Sequence, residues 1–146
     1  VPVVGDIEGR CMGFGTAVAA CCDVFFASSN ARINVPEMTH KVMPTMVMSA
    51  LYDRMNRNAI MWMTYSAEFI DAQQAMMYGI VSRAVDADKL EDEVASFCET
   101  LLNRPRPGIL GLKEYLRSAP RMDSQGALDY ARSIHSMINT AAAMKE

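Results

Sequence analysis

The sequence has no excess of charge of either sign: 14 Lys and Arg stand against 17 Asp and Glu in 146 residues, a net charge of −3. That balance excludes the broad basic surface with which proteins grip nucleic acid phosphates. Asp23 interrupts one apolar stretch, and Asp53, Arg54 and Arg57 another, well short of the roughly 18 residues a membrane span requires. An initiator Met, a charged leader and a signal-type apolar core are also absent, and the chain opens on Val1-Pro2-Val3-Val4 as if in mid-strand. Cys11, Cys21, Cys22 and Cys98 contain no C-x-x-C pair, and the adjacent Cys21 and Cys22 would point in different directions on a helix. No metal site is therefore expected, the cysteines read as small core hydrophobes, and a reducing, cytoplasmic compartment is expected. There is no G-x-S-x-G elbow and no recognisable Cys/His pair, so nucleophilic catalysis has no support.

Hydrophobic residues make up 51% and charged residues 21%, enough apolar material for a packed core. Nine of the 13 methionines fall between Met38 and Met77, either as core filler or as an adaptable apolar pocket lined by thioethers. Val1 to Ile7 reads as a buried strand, followed after Glu8-Gly9 by a loop. Small residues from Thr16 to Cys21 suit a helix packed closely on a sheet, and Asp23 ends it. Val24 to Ala27 reads as a second strand, Ser28-Ser29-Asn30 as a turn and Ala31 to Val35 as a third strand stopped by Pro36. Beyond Pro44 the period is helical. Asp71 with Gln74 predicts a capping box, Gly79 a helix stop and Ile80 to Val85 a strand. Leu90 to Leu102 keeps an amphipathic spacing, a further helix runs through Ile109, Leu112 and Leu116, and a last one through Leu128 and Ile138 continues to the final residue. The whole is α/β: residues 1–86 form a mixed part and residues 87–146 a helical part.

Two places could carry chemistry. Gly13-Phe14-Gly15, between strand and helix, offers free backbone N–H groups as an oxyanion donor, or is a tight turn needing glycine only for sterics. It lacks the third glycine of a dinucleotide fingerprint and the Gly-Lys-Ser/Thr of a phosphate loop. Glu37, set among Val35, Met38, Val42 and Met43, is either a general acid/base whose pKa an apolar setting would raise or a strand-end carboxylate facing solvent. Asp6 and Glu8 are weaker candidates. His40 stands near Glu37 in sequence, and His135 reads as a packing residue.

The order Pro2-Val3-Val4 to Gly9, Gly13-Phe14-Gly15, Ala19 to Ala27 with Cys22-Asp23, Ala31 to Glu37 and Pro44, together with Phe69 to Val81, resembles the crotonase family of enoyl-CoA hydratases and isomerases. The resemblance implies a spiral of ββα turns, here its C-terminal part, followed by a helical region that builds homotrimers or dimers of trimers. It implies an acyl-CoA or acyl carrier protein thioester as substrate, with coenzyme A entering only as part of that substrate and no other cofactor. The thioester oxygen would be held by two backbone N–H groups, the second at Phe14, where the family usually has Gly. Met12, Gly13, Gly15, Pro36, Met43 and Pro44 would line the substrate, and Glu37 would act as the catalytic carboxylate. A second glutamate usual in the family's hydratases is here Ala17, so proton transfer by Glu37 alone, as in an isomerase, fits better than hydration. A dehydratase, decarboxylase or hydrolase on the same scaffold, or a non-catalytic assembly or binding subunit, are the alternatives. Lys41 replaces a usual Gly, and Thr45-Met46-Val47-Met48 a glycine-rich stretch. By the same resemblance the chain is the later part of one of roughly 250 to 270 residues, within the single-domain range. On that footing the 146 residues alone are expected to be inactive.

Overall fold

A computed structural model describes residues 1–144. They divide into two compact units, one of residues 3–96 and one of residues 97–144 with Val1 and Pro2; the division falls between Ser96 and Phe97, inside a helix.

In the first unit, strands and helices recur in a fixed order. β1 (Val4–Ile7), β2 (Arg10–Met12) and α1 (Phe14–Cys21) make one turn, and β3 (Val24–Ser28), β4 (Arg32–Asn34) and α2 (Thr45–Leu51) make the next. Each turn adds one strand to each of two sheets: Val4 pairs with Val24 and Arg10 with Arg32, both parallel. Parallel neighbours need a crossover, and α1 supplies it. After α3 (Arg57–Ser66), β5 (Ile70–Asp71) and α4 (Ala72–Tyr78), β6 (Arg83–Val85) completes the sheet order β1-β3-β6, while β5 closes β2-β4-β5 antiparallel to β4. Between the sheets and helices lie Phe25, Ala27, Ile33, Val35, Leu51, Met63 and Ile70, all buried. Alanines at 17, 19 and 20 let α1 approach closely and pack along α2.

The first strand begins later than the Val1 to Ile7 expectation. The Val3 N–H donates to the Asp23 carboxylate Oδ2 at 2.6 Å, and its carbonyl accepts the N–H groups of Asp23 and Val24, so Val3 meets the start of β3 with its N–H taken by a side chain. β2 corrects the expected loop after Gly9; only Cys11 of its three residues is buried, so it carries almost no apolar pattern. Ile80 and Val81 lie just past the Gly79 stop of α4, their N–H groups donating back to the Ala75 carbonyl, and β6 starts only at Arg83.

The capping box stands as expected. Asp71 Oδ1 accepts the Gln74 N–H at 2.8 Å, Gln74 Oε1 accepts the Asp71 N–H at 3.1 Å, and Gly79 ends the helix at φ 93°. Asp71→Ala removes one half of the box, and we expect a loss of about 1 kcal/mol, read as a fall in Tm of a few degrees by calorimetry.

The second unit is helical. It takes the end of α5 (Leu90–Leu102), then α6 (Arg106–Ser118) and α7 (Ser124–Asn139), which pack on each other. Gly111 of α6 has no room for a side chain, since a β-carbon there would lie 2.9 Å from Ile138. The expectation that the last helix continues to the final residue is corrected. α7 ends at Asn139, where the Thr140 hydroxyl donates to the Met137 carbonyl and the following N–H groups reach back only three residues, from Ala141 to Ile138 and from Met144 to Ala141. Side-chain competition of this kind tightens a helix end into 3-10 geometry. Residues 145 and 146, which that expectation included, lie outside the described residues. Among the described residues no helix is long and apolar enough to cross a membrane.

Candidate active site

The glycine turn between β2 and α1 is built from both ends. Gly13 sits at φ 52°, ψ −117°, a conformation that side chains with a β-carbon rarely adopt. Its N–H donates to the Asn34 carbonyl at 3.0 Å, and its own carbonyl accepts the N–H groups of Thr16 and Ala17. The helix therefore opens at Phe14, two residues earlier than the apolar pattern suggests. The N–H groups of Phe14 and Gly15 are the first two of α1 and have no acceptor among the described residues. They are free to hold an oxygen that carries developing negative charge. The Phe14 side chain is 65% exposed, so the residue offers its main chain without filling the core.

The second group arrives from the other turn of the spiral. After β4, Pro36 leads into a 3-10 turn, Glu37–His40, in place of the expected strand end. Glu37 is half-buried, and its carboxylate lies against the glycine turn: a β-carbon on Gly13 would come within 2.5 Å of Glu37 Oε1. Its Oε2 is buried and accepts no hydrogen bond. A carboxylate so placed has an oxygen free to take up a proton. The solvent-facing alternative for Glu37 is thereby set aside, and Gly13 is required both by its φ and by this close approach.

Lys41 closes the 3-10 turn in the left-handed region at φ 59°, its N–H reaching the carbonyls of Glu37 and Met38. That conformation is the reason a glycine suits this position, and lysine occupies it at a cost of roughly 1–2 kcal/mol. Behind the glycine turn, burial pushes the Cys11 thiol above its ordinary pKa, outweighing the hydrogen bond with Thr16. The sulfur therefore stays a neutral thiol and sets no negative charge behind the free amides.

The remaining expected substrate-lining residues differ in exposure. Met12 and Met43 are exposed, Gly15 is exposed at the start of α1, Pro36 is half-buried, and Pro44 is buried where it caps α2. The methionine cluster divides: Met55 and Met63 are core, whereas Met38, Met43, Met46, Met76 and Met77 are exposed. The core-filler reading thus holds for Met55 and Met63. Ala17 is buried in α1 and supplies only packing. Asp6, Glu8 and His40 are exposed, and His135 stands in the second unit as an exposed partner of Asn139. Sequence reasoning missed Thr16 and Asn34, both buried polar residues bonded into the glycine turn. Their one signal was polarity at positions where the pattern is otherwise apolar.

The sequence model of the enoyl-CoA hydratase/isomerase family matches residues 1–146. Among curated relatives, 2,3-dehydroadipyl-CoA hydratase of Escherichia coli (strain K12) is 26% identical over 138 residues, covering 94% of this chain and 54% of that protein. Crotonyl-CoA hydratase of Syntrophomonas wolfei is 28% identical over 134 residues, covering 91% of this chain and 50% of that protein. The chain thus spans about half the length of the curated relatives it matches. The crystal structure of an enoyl-CoA hydratase of Mycobacterium smegmatis superposes with a TM-score of 0.95 at 23% identity, over 100% of this chain and 57% of that one. That likeness shows the fold, and the family match over every residue shows the rest: this chain, with its ββα spiral, belongs to the enoyl-CoA hydratase/isomerase family.

Proposed function

We propose that the protein moves a double bond in an enoyl thioester of coenzyme A, with Glu37 as its single proton carrier and the Phe14 N–H as a donor to the thioester oxygen. The observation that carries this is the Glu37 carboxylate lying against Gly13, with Oε2 unbonded, beside a free Phe14 amide. Glu37 takes a proton from C2 of a 3-enoyl thioester, and the electron pair moves into the carbonyl to give a dienolate. The Phe14 N–H stabilises that oxygen, an interaction of a kind worth about 3 kcal/mol of barrier. Protonated Glu37 then returns the proton to C4 as the oxygen's electron pair moves back, leaving the 2-enoyl thioester. No cofactor beyond the coenzyme A moiety of the substrate is needed.

Ala17 favours isomerisation over hydration, because a second carboxylate to activate water is missing from α1. The named relatives are hydratases, so product identity is the decisive test. The full-length protein should convert trans-3-hexenoyl-CoA to the trans-2 isomer and form no 3-hydroxy product from it, as read by mass spectrometry with chromatography. A hydroxyacyl product would overturn the isomerase reading. Binding of the thioester with no product of any kind would favour a non-catalytic subunit. Loss of carbon dioxide from a malonyl-type thioester would favour a decarboxylase, and release of free coenzyme A a hydrolase. An acyl carrier protein thioester belongs in the same panel. Leu112 and Leu116 of α6 and Leu128 of α7 are exposed, which supports assembly into a homotrimer or dimer of trimers. The four cysteines, without a C-x-x-C pair, support a reducing, cytoplasmic location.

A further inference from the structure

The Asn34 main-chain carbonyl joins the two groups the proposed chemistry uses. It accepts the Gly13 N–H at 3.0 Å, fixing the residue that precedes the Phe14 donor, and it lies three residues before Glu37 on the strand that leads to that carboxylate. A second hydrogen bond ends there. The Thr16 hydroxyl, fully buried, approaches the Asn34 carbonyl at 2.9 Å and the Cys11 carbonyl at 3.3 Å. One hydroxyl on α1 thereby reaches the end of β4 and the middle of β2. The Asn34 side chain anchors the same strand from the far side, its Nδ2 donating to the Ala67 carbonyl at 3.1 Å.

We infer that Thr16 is a positioning residue, whose hydroxyl sets the spacing between the Phe14 N–H and the Glu37 carboxylate; the inference rests on the proton-transfer reading above. The hydroxyl does not touch the reacting atoms. It ties the helix that carries the donor to the strand that leads to the acid. Without it the Gly13 N–H still satisfies the Asn34 carbonyl, so that acceptor is not orphaned. The fold therefore tolerates the loss, while the distance between amide and carboxylate is held by one bond fewer. Small misplacements of reacting groups cost rate far more than they cost binding.

The test uses Thr16→Val and Thr16→Ser in the full-length protein, with trans-3-hexenoyl-CoA as the probe. Thr16→Val should lower kcat by about 10- to 100-fold and change KM by less than about threefold, whereas Thr16→Ser keeps both near wild type. Hydrogen exchange at the Gly13 amide should quicken about tenfold or more in the Val variant alone. An unchanged kcat in Thr16→Val overturns the inference, and so does an equal loss in Thr16→Ser, which would assign the effect to packing. Should Thr16→Val not fold, Thr16→Ala against Thr16→Ser is judged by the same criteria. If the wild type turns over no thioester, the proposed function fails and exchange decides the tether: faster exchange at Gly13 in Thr16→Val supports it, and unchanged exchange overturns it.

Discussion

Glu37→Gln is expected to lower kcat for thioester isomerisation by about 1,000-fold, close to 4 kcal/mol of barrier, with KM changed little. The substitution keeps the shape and removes the only property at issue, the capacity to take up a proton and give it back. Because Oε2 has no hydrogen-bond partner, no protein donor is orphaned by the change, and the melting temperature should stay near that of wild type. Steady-state kinetics with one 3-enoyl thioester, set beside a thermal melt, separates loss of chemistry from loss of fold. Turnover within about tenfold of wild type would assign the proton transfer to another group.

Gly13→Ala should act through two routes at once. At φ 52° the alanine pays the steric cost of a positive φ, of order 1–3 kcal/mol, which chemical denaturation will read as lost stability. Its β-carbon would also lie 2.5 Å from Glu37 Oε1. The atom that must yield is the far end of a flexible side chain, so the clash costs little in packing, but the displaced atom is the proposed proton carrier. We expect kcat to fall about 100-fold beyond anything the loss of folded protein explains. Gly15→Ala is the control: that β-carbon would meet only Cys11 Sγ, at an ordinary 3.6 Å, and the variant should stay active.

What could be read from the sequence follows from where the physics is local. The Asp71–Gln74 capping box and the Gly79 stop depend on residues within one helix, and both stand as read. Val24 to Ala27 is legible as a strand because it is apolar throughout and largely buried. Arg10–Met12 is not: one inward Cys between two exposed residues leaves no pattern, and its strand character comes from Arg32 to Asn34, a full spiral turn later. The candidate residues Phe14 and Glu37 were legible through their family resemblance and local setting. That the Glu37 carboxylate rests on Gly13 was not, since that contact joins two turns of the spiral. Thr16 was passed over for the same reason: in sequence it is one small residue in an alanine-rich helix, and only the arrival of the Asn34 carbonyl gives its hydroxyl a task.

The central claim is that one carboxylate moves one proton across an enolate held by a main-chain amide. Deuterium incorporation tests it most directly: the full-length wild type and its Glu37→Gln variant are incubated side by side in D2O with trans-3-hexenoyl-CoA, and the acyl chain is read by mass spectrometry and NMR. Protonated Glu37 either passes the C2 proton straight to C4 or exchanges it with D2O first, so the account predicts trans-2 product from the wild type, with protium or deuterium delivered at C4, and neither product nor deuterium above background with the variant. Product or label formed equally by both proteins would contradict it.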